Sequence, residues 1–289
     1  MKYVLAAILI AVSLSAAAGY MYLDEKAYNS LLTEYVSAAV AGDQKTFEGK
    51  VRALRKFVHE TIHPVAGEEC RPDTVPLEKL VSGIGWCDQV SRVFMQLAKW
   101  QGITTRLLFL MTKDGTSPHT IAEALDGRRW VLVDAAYGLE LVNARGGMAT
   151  ADDVRADPSV LTGNSRVAAF GEYSPIWKNP DYLGVYSNKP EYIFTKKGRA
   201  VGPMWFAPGP VKKMAMAVIR GAYFRKIKSG YSDPAAFDYF KARNFDLTGE
   251  TGKACVLYAA VIRAASGTPL EDRARFFLAL SLRAQKKYA

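Results

Sequence analysis

The stretch HTIAEALDGRRWVLVD, residues 119–134, decides how this chain folds. Two apolar runs flank Asp126-Gly127, and Asp-Gly between alternating runs is a strong signal for a two-residue β-hairpin. With that turn, Leu125 faces Arg128, and each step back along one strand pairs with a step forward along the other. Glu123 then meets Trp130, Ile121 meets Leu132 and His119 meets Asp134, all on one face. Directly opposed residues lie ~5.5 Å apart at Cα, so this register sets an imidazole across from a carboxylate. A carboxylate at that range orients the ring, fixes its tautomer and favours its protonated form.

An imidazole so held is the base that a thiol nucleophile requires, and a thiol lies upstream. Ser82-Gly83-Ile84-Gly85 leads into Trp86–Trp100, where Val90, Val93, Phe94, Leu97 and Ala98 recur at helical spacing before Gly102 closes the helix. Cys87 stands where the glycine-rich turn enters that helix. The open amides and dipole of a helix start favour an anion there, the state in which a thiol attacks. The plainer role for Cys87 is a small buried apolar residue. Thr104–Met111 reads as a further strand, joining Thr120–Leu125 and Arg129–Ala135. Trp86, Glu123 and Trp130 are candidates for lining a substrate site, with cross-strand packing the alternative for the hairpin pair.

Upstream, Asp24–Ala41 reads as a helix ending at Gly42. An amphipathic helix follows over Lys45–His63, with Val51, Leu54, Val58 and Ile62 on one face and Pro64 as its stop. It carries His59-Glu60-Thr61-Ile62-His63, a literal H-E-x-x-H, the two-histidine zinc signature with a glutamate base. Against zinc, Pro64 draws His63 out of helical geometry, Ala66 occupies the glycine position of the extended motif, and Arg52 and Arg55 are poor neighbours for a dication. Glu78 or Glu123 would have to serve as third ligand. A zinc hydrolase is therefore a lesser alternative, and the expected site holds no metal and no cofactor.

Downstream, residues 146–210 are rich in Pro, Gly and aromatic residues and resist assignment. No acidic residue falls between Glu191 and Asp233, where Lys196, Lys197, Arg199, Lys212, Lys213, Arg220, Arg225, Lys226 and Lys228 gather. Val211, Ala215, Val218, Ile219, Ala222, Tyr223 and Ile227 form an apolar stripe through the same stretch. Such a helix either packs its stripe on the main domain or lies against anionic lipid or an anionic polymer. From Asp233 the pattern is helical again, with Lys253–Ala265 and Leu270–Gln285 forming a hairpin across Ser266-Gly267-Thr268-Pro269.

At the other end, Val4–Leu23 carries no charge, with Lys2 before it and Asp24-Glu25 after it. That is the pattern of an export signal, long enough at ~30 Å to span a bilayer. Ala16-Ala17-Ala18 offers a small-residue cleavage site, while Tyr20 and Tyr22 look like an interfacial belt that stays in place. Both outcomes put the rest of the chain on the periplasmic side of a bacterial inner membrane, which makes nucleic acid a poor partner despite the net charge of +10. With 289 residues, 49% hydrophobic and 23% charged, the chain buries a proper core, which excludes a disordered tail, a collagen-like fibre and a disulfide-dense mini-protein. Three His and three Cys are too few for a zinc-finger array or an iron–sulfur protein. A Cys70–Cys255 bridge would leave Cys87 as the free thiol.

The segments Gly83-Ile84-Gly85-Trp86-Cys87-Asp88-Gln89, Gln101-Gly102-Ile103-Thr104-Thr105-Arg106, His119-Thr120-Ile121-Ala122-Glu123-Ala124 and Arg129-Trp130-Val131-Leu132-Val133-Asp134 occur in an order that resembles the transglutaminase-like superfamily of papain-fold cysteine enzymes. The resemblance covers about residues 45–142. It implies Cys87 as nucleophile, His119 as general base and acid, and Asp134 as orienting carboxylate. It also implies acyl transfer on peptide or isopeptide bonds through a thioester, by cross-linking, deamidation or hydrolysis. One departure stands out: some members use an indole upstream of the cysteine as an oxyanion donor, and no Trp precedes Trp86 here. A catalytically silent module of the same fold, holding a partner at the membrane, is the second alternative. The expected architecture is α+β, a nucleophile helix packed on a small antiparallel sheet with a C-terminal helical extension. Its expected divisions are a signal segment at 1–23, the catalytic core at 24–145, a loop-rich basic extension at 146–230 and a helical hairpin at 231–289.

Overall fold

Gly127 takes φ +61° at the first central position of the hairpin turn, and among the described residues no non-glycine residue adopts a positive φ. That is the requirement of a II′-type connection, whereas a turn centred on Asp126-Gly127 as I′ needs positive φ at both positions. Strands β4 (His119–Asp126) and β5 (Arg129–Val133) accordingly pair Asp126 with Arg129, Leu125 with Trp130 and Glu123 with Leu132. The register expected from the sequence is thus displaced by two residues. A two-residue shift keeps every side chain on its face, so His119 and Asp134 still share one; continued outward, the pairing sets His119 opposite Ala136, with Asp134 on the diagonal.

The computed structural model describes residues 25–64, 76–110, 117, 119–157, 159–162, 185–186, 193–194 and 209–286. The expected export segment, Cys70, and the basic residues Lys196, Lys197 and Arg199 lie outside these. The chain divides into two units, residues 37–200 and residues 1–36 with 201–289. Helix α1 (Glu25–Ala41) contributes to both.

In the unit of residues 37–200, α2 (Phe47–Thr61) is capped by Thr46, whose hydroxyl accepts from Gly49 N–H at 3.0 Å, and it buries Val51, Leu54, Arg55 and Val58. It ends at Thr61, two residues short of the expected His63, because the residue before Pro64 is driven to extended geometry. His63 and Pro64 form β1, parallel to β2 (Ile84–Gly85). Between these lies α3 (Pro76–Ser82), followed by α4 (Cys87–Trp100) and β3 (Thr105–Leu110). The sheet order is β5-β4-β3-β6, where β6 is Val185–Tyr186, and β7 (Ile193–Phe194) also pairs with β3. α4 packs on β3 and β4 and against α2 and α3, as its buried stripe of Val90, Val93, Phe94, Leu97 and Ala98 requires. This is the expected α+β architecture, a nucleophile helix on an antiparallel sheet.

The boundary expected at residue 145 falls inside this unit. Leu132 N–H donates to Ala149 O at 2.8 Å, and Ala149, Ala151, Val154 and Val160 join Leu108, Leu110, Ile121 and Leu132 in one core. The outer edge of β5 would otherwise leave backbone groups unpaired, and the following chain satisfies them. Helices α5 (Ala151–Ala156) and α6 (Ser159–Thr162) lie here, the first capped reciprocally by Thr150 and Asp153.

In the other unit, α7 (Gly209–Ile227), α8 (Pro234–Leu247), α9 (Thr251–Ala264) and α10 (Pro269–Lys286) are the C-terminal helices. The buried face of α7 matches the expected stripe only in part, at Tyr223, with Ala215, Ile219, Ala222 and Ile227 half-buried. Met216, Arg220, Tyr223 and Phe224 are buried, whereas Val211 and Val218 are exposed. Arg220 turns inward because Glu250 and Thr248 pair with its guanidinium and the Phe245 ring lies 4.3 Å away. A buried charge with such partners is tolerated. Cys255, on α9, is a free thiol.

Candidate active site

Three short segments converge on Cys87. The β1–β2 bridge and the bond from His63 N–H to Gly83 O, at 2.8 Å, pin the glycine-rich turn. Gly83 takes φ +75°, which a residue with Cβ resists. At the helix start, Trp86 N–H donates to Gln89 Oε1 at 3.0 Å, closing the first turn from the outside. Cys87 is then the first helical residue and half-buried.

His119 opens β4 and is fully buried. Its Nε2 donates to Asp134 Oδ2 at 2.9 Å, and the Cys87 side chain lies close enough to act on its pKa. The two nitrogens of an imidazole point apart, so with Nε2 on the carboxylate it is the buried Nδ1 that is left to face other groups. Tyr137 covers the ring, centroids 4.5 Å apart. Asp134, also fully buried, uses its second oxygen to accept from Tyr137 N–H at 2.9 Å. Burial by itself disfavours a charged imidazole, but the Asp134 carboxylate, through its field and its hydrogen bond, outweighs it. With a smaller contribution from Cys87, the His119 pKa is pushed up to about 9. The arrangement favours an imidazolium at neutral pH, poised between a carboxylate and a sulfur.

The turn after Asp134 is gripped by α2. His59 Nδ1 donates to Ala136 O at 3.0 Å, Arg55 donates to Gly138 O, and Glu140 pairs with Arg52 at 2.7 Å and Arg55 at 3.1 Å. Gly138 has φ +63°, and a Cβ there would lie 2.5 Å from the His59 ring. Gly138→Ala therefore meets both backbone strain and a clash. It is expected to cost ~1–3 kcal/mol of stability, read as a lowered urea midpoint; an unchanged midpoint would remove His59 from this role. The H-E-x-x-H residues thus separate: His59 holds the Asp134 turn from the helix, while His63 lies exposed in an extended strand. Among the described residues, no cluster of three His, Cys, Asp or Glu side chains is arranged to hold a metal.

Of the expected lining residues, Trp86 stays beside Cys87 with 37% exposure. Glu123 and Trp130 do not reach the cysteine. Glu123 is four residues from His119 along β4, ~13 Å, and its fully buried carboxylate pairs with Arg106 at 2.7 Å. Arg106 stacks on Trp130 at 4.0 Å, so these three residues form a separate cluster. Burial raises the Glu123 pKa against the opposing pull of Arg106. Tyr137, Arg55, His59 and Gly138 were missed from the sequence; Gly138, a few residues past the strand-ending aspartate, was the available signal of a tight turn needing support.

A helix-start cysteine packed against an antiparallel sheet, with histidine and aspartate at strand ends, defines a cysteine-type α+β fold. Residues 33–135 match the family model of the transglutaminase-like superfamily. Among solved structures, a candidate cysteine protease from Cytophaga hutchinsonii aligns with a TM-score of 0.34 and 16% identity, over 44% of this chain and 46% of that one. The chain therefore spans less than half the length of that protein. No curated protein matches the sequence.

Proposed function

We propose that this protein is a thiol-dependent acyl transferase or peptidase that cleaves amide bonds with Cys87, His119 and Asp134. The observation behind this reading is a fully buried imidazole bonded to Asp134 at 2.9 Å, with the Cys87 side chain close enough to act on its pKa. The Cys87 sulfur attacks the carbonyl carbon, forming a C–S bond and a tetrahedral oxyanion. Collapse breaks the C–N bond, and the proton on His119 leaves with the amine. Water or an acceptor amine then attacks the thioester, His119 takes its proton, and the sulfur is released. Asp134 holds the ring in the productive tautomer and stabilises its charge throughout. The N–H groups of the first turn of α4 have no intrahelical acceptors, and that of Cys87 is the candidate oxyanion donor.

We further propose that the enzyme works at the cell envelope, on the outer side of the inner membrane, on a peptide or protein substrate. The uncharged Val4–Leu23 segment after Lys2 supports this. Among the described residues no helix is long and apolar enough to cross a membrane, and Val4–Leu23 lies outside them. On α7, Lys213, Arg225 and Lys226 are exposed and remain candidates for contact with anionic lipid or polymer, whereas Arg220 is taken up by Glu250.

The direct test is an electrophilic thiol probe at neutral pH, followed by peptide mapping of the adduct. Fast adduct formation confined to Cys87 is expected, with Cys255 slower and Glu60→Gln without effect. A Cys87 no faster than a free thiol in solution would favour the silent module instead.

A further inference from the structure

We infer that an open cavity of about 510 Å³ at the tip of the β4–β5 hairpin binds a small molecule carrying a phosphate dianion. Four guanidinium groups line it, from Arg106, Arg128, Arg129 and Arg145, together with Trp130 and Asn143. Planar guanidinium forks suit the oxygens of phosphate and carboxylate better than any other side chain. The charge inventory selects between those two anions. Arg106 is matched by Glu123 at 2.7 Å, and Arg129 by Asp126 at 3.1 Å. Arg128 and Arg145 are matched by no carboxylate among the described residues. Asp152 and Asp153 also line the cavity, the first matched by a cation and the second bonded by neutral groups. Asp152 pairs with Arg155 at 2.6 Å, and Asp153 accepts from Thr150 N–H at 2.8 Å and Asn143 Nδ2 at 3.3 Å.

Against the one lining carboxylate that only neutral groups engage, Asp153, the guanidinium groups of Arg128 and Arg145 leave a net positive wall, and two forks can share the three terminal oxygens of a phosphate where a monocarboxylate offers two. The volume lies within the ~300–1,000 Å³ of small-molecule sites, far more than a bare phosphate fills, so an organic remainder is implied. The cavity is preorganised on one wall, because Arg106 is clamped between buried Glu123 and the Trp130 ring and has little freedom left to lose on binding. This inference stands apart from the thiol chemistry proposed above, since none of these residues touches Cys87 or His119 in the bonds described.

The test titrates the full chain with inorganic phosphate at constant ionic strength, with acetate as the monoanion for comparison. Saturable one-to-one quenching of tryptophan fluorescence and a rise in Tm are expected with phosphate, and a far weaker response with acetate. The double variant Arg128→Gln/Arg145→Gln is expected to weaken phosphate binding by at least about tenfold, since each charged hydrogen bond lost is worth that much. Both residues are exposed, and an unchanged Tm without phosphate checks that the variant is folded. Absence of saturable phosphate binding, binding undiminished in the double variant, or equal binding of acetate would each overturn the proposal.

Discussion

Cys87→Ala and His119→Ala are each expected to lower the rate of acyl transfer from an activated aryl ester by ~10⁴-fold or more, and the double variant is expected to be no worse than either single one. The sulfur supplies the electron pair and the imidazole supplies and takes the proton, so losing either stops the same step. Non-additivity distinguishes a relay from two unrelated residues that both happen to matter. Neither substitution asks much of the fold at Cys87, which is half-buried at a helix start, and urea unfolding should report the Cys87 variant as native. His119 is fully buried, so its variant needs a second readout. In folded His119→Ala, Cys87 labelling by an electrophile should slow and lose its advantage over Cys255. Independent, additive losses would leave the proposed relay without support.

Asp134→Asn is expected to act through the pH profile. In the native protein the His119 pKa is pushed up to about 9, so the acylation rate, which needs a proton for the leaving amine, should hold through neutral pH and fall as pH rises through about 9. An amide at position 134 removes the two Asp134 contributions that raise the pKa. Burial then dominates, and burial favours the neutral ring, so the alkaline limb should move to or below the ordinary histidine value of about 6.5. At pH 7.5 the variant should be slower by ~10⁴-fold, the scale found when an orienting carboxylate becomes an amide. Stability should follow the same sign. A folded pKa above the unfolded one gives stabilisation fully present below about 6.5 and lost as pH rises through about 9. The Tm of the native protein should therefore decline across that window, and that of Asp134→Asn should decline less. An alkaline limb unmoved by the substitution would detach Asp134 from His119 as a functional pair.

Much of the site was legible because local rules create it. Cys87 lies at a helix start because Gly83 and Gly85 break the chain just before an amphipathic run. His119 and Asp134 share a face because both lie at even steps along strands joined by a tight turn. The register itself was misjudged. Asp126-Gly127 is compatible with two turn types, and only the φ of Gly127 together with an ordinary Arg128 separates them. The shared face survived because the shift was two residues, not one. Glu123 and Trp130 show the limit of face arguments: sharing a face with His119 did not bring them to Cys87, since Arg106 on the neighbouring strand claims both.

By itself, then, the order of residues determined the α+β class, the helix that opens at Cys87 and the face shared by His119 and Asp134, the other members of the proposed trio, because capping, periodicity and pairing act over a few residues. Only the tertiary structure decided how the trio is held. Tyr137 over the imidazole, His59 and Arg55 on the Asp134 turn, and the four arginines at the hairpin tip come from segments up to 85 residues apart, as Arg55 and Glu140 are. Nothing periodic links such segments along the chain; they meet because burying the shared core leaves those polar groups few other partners.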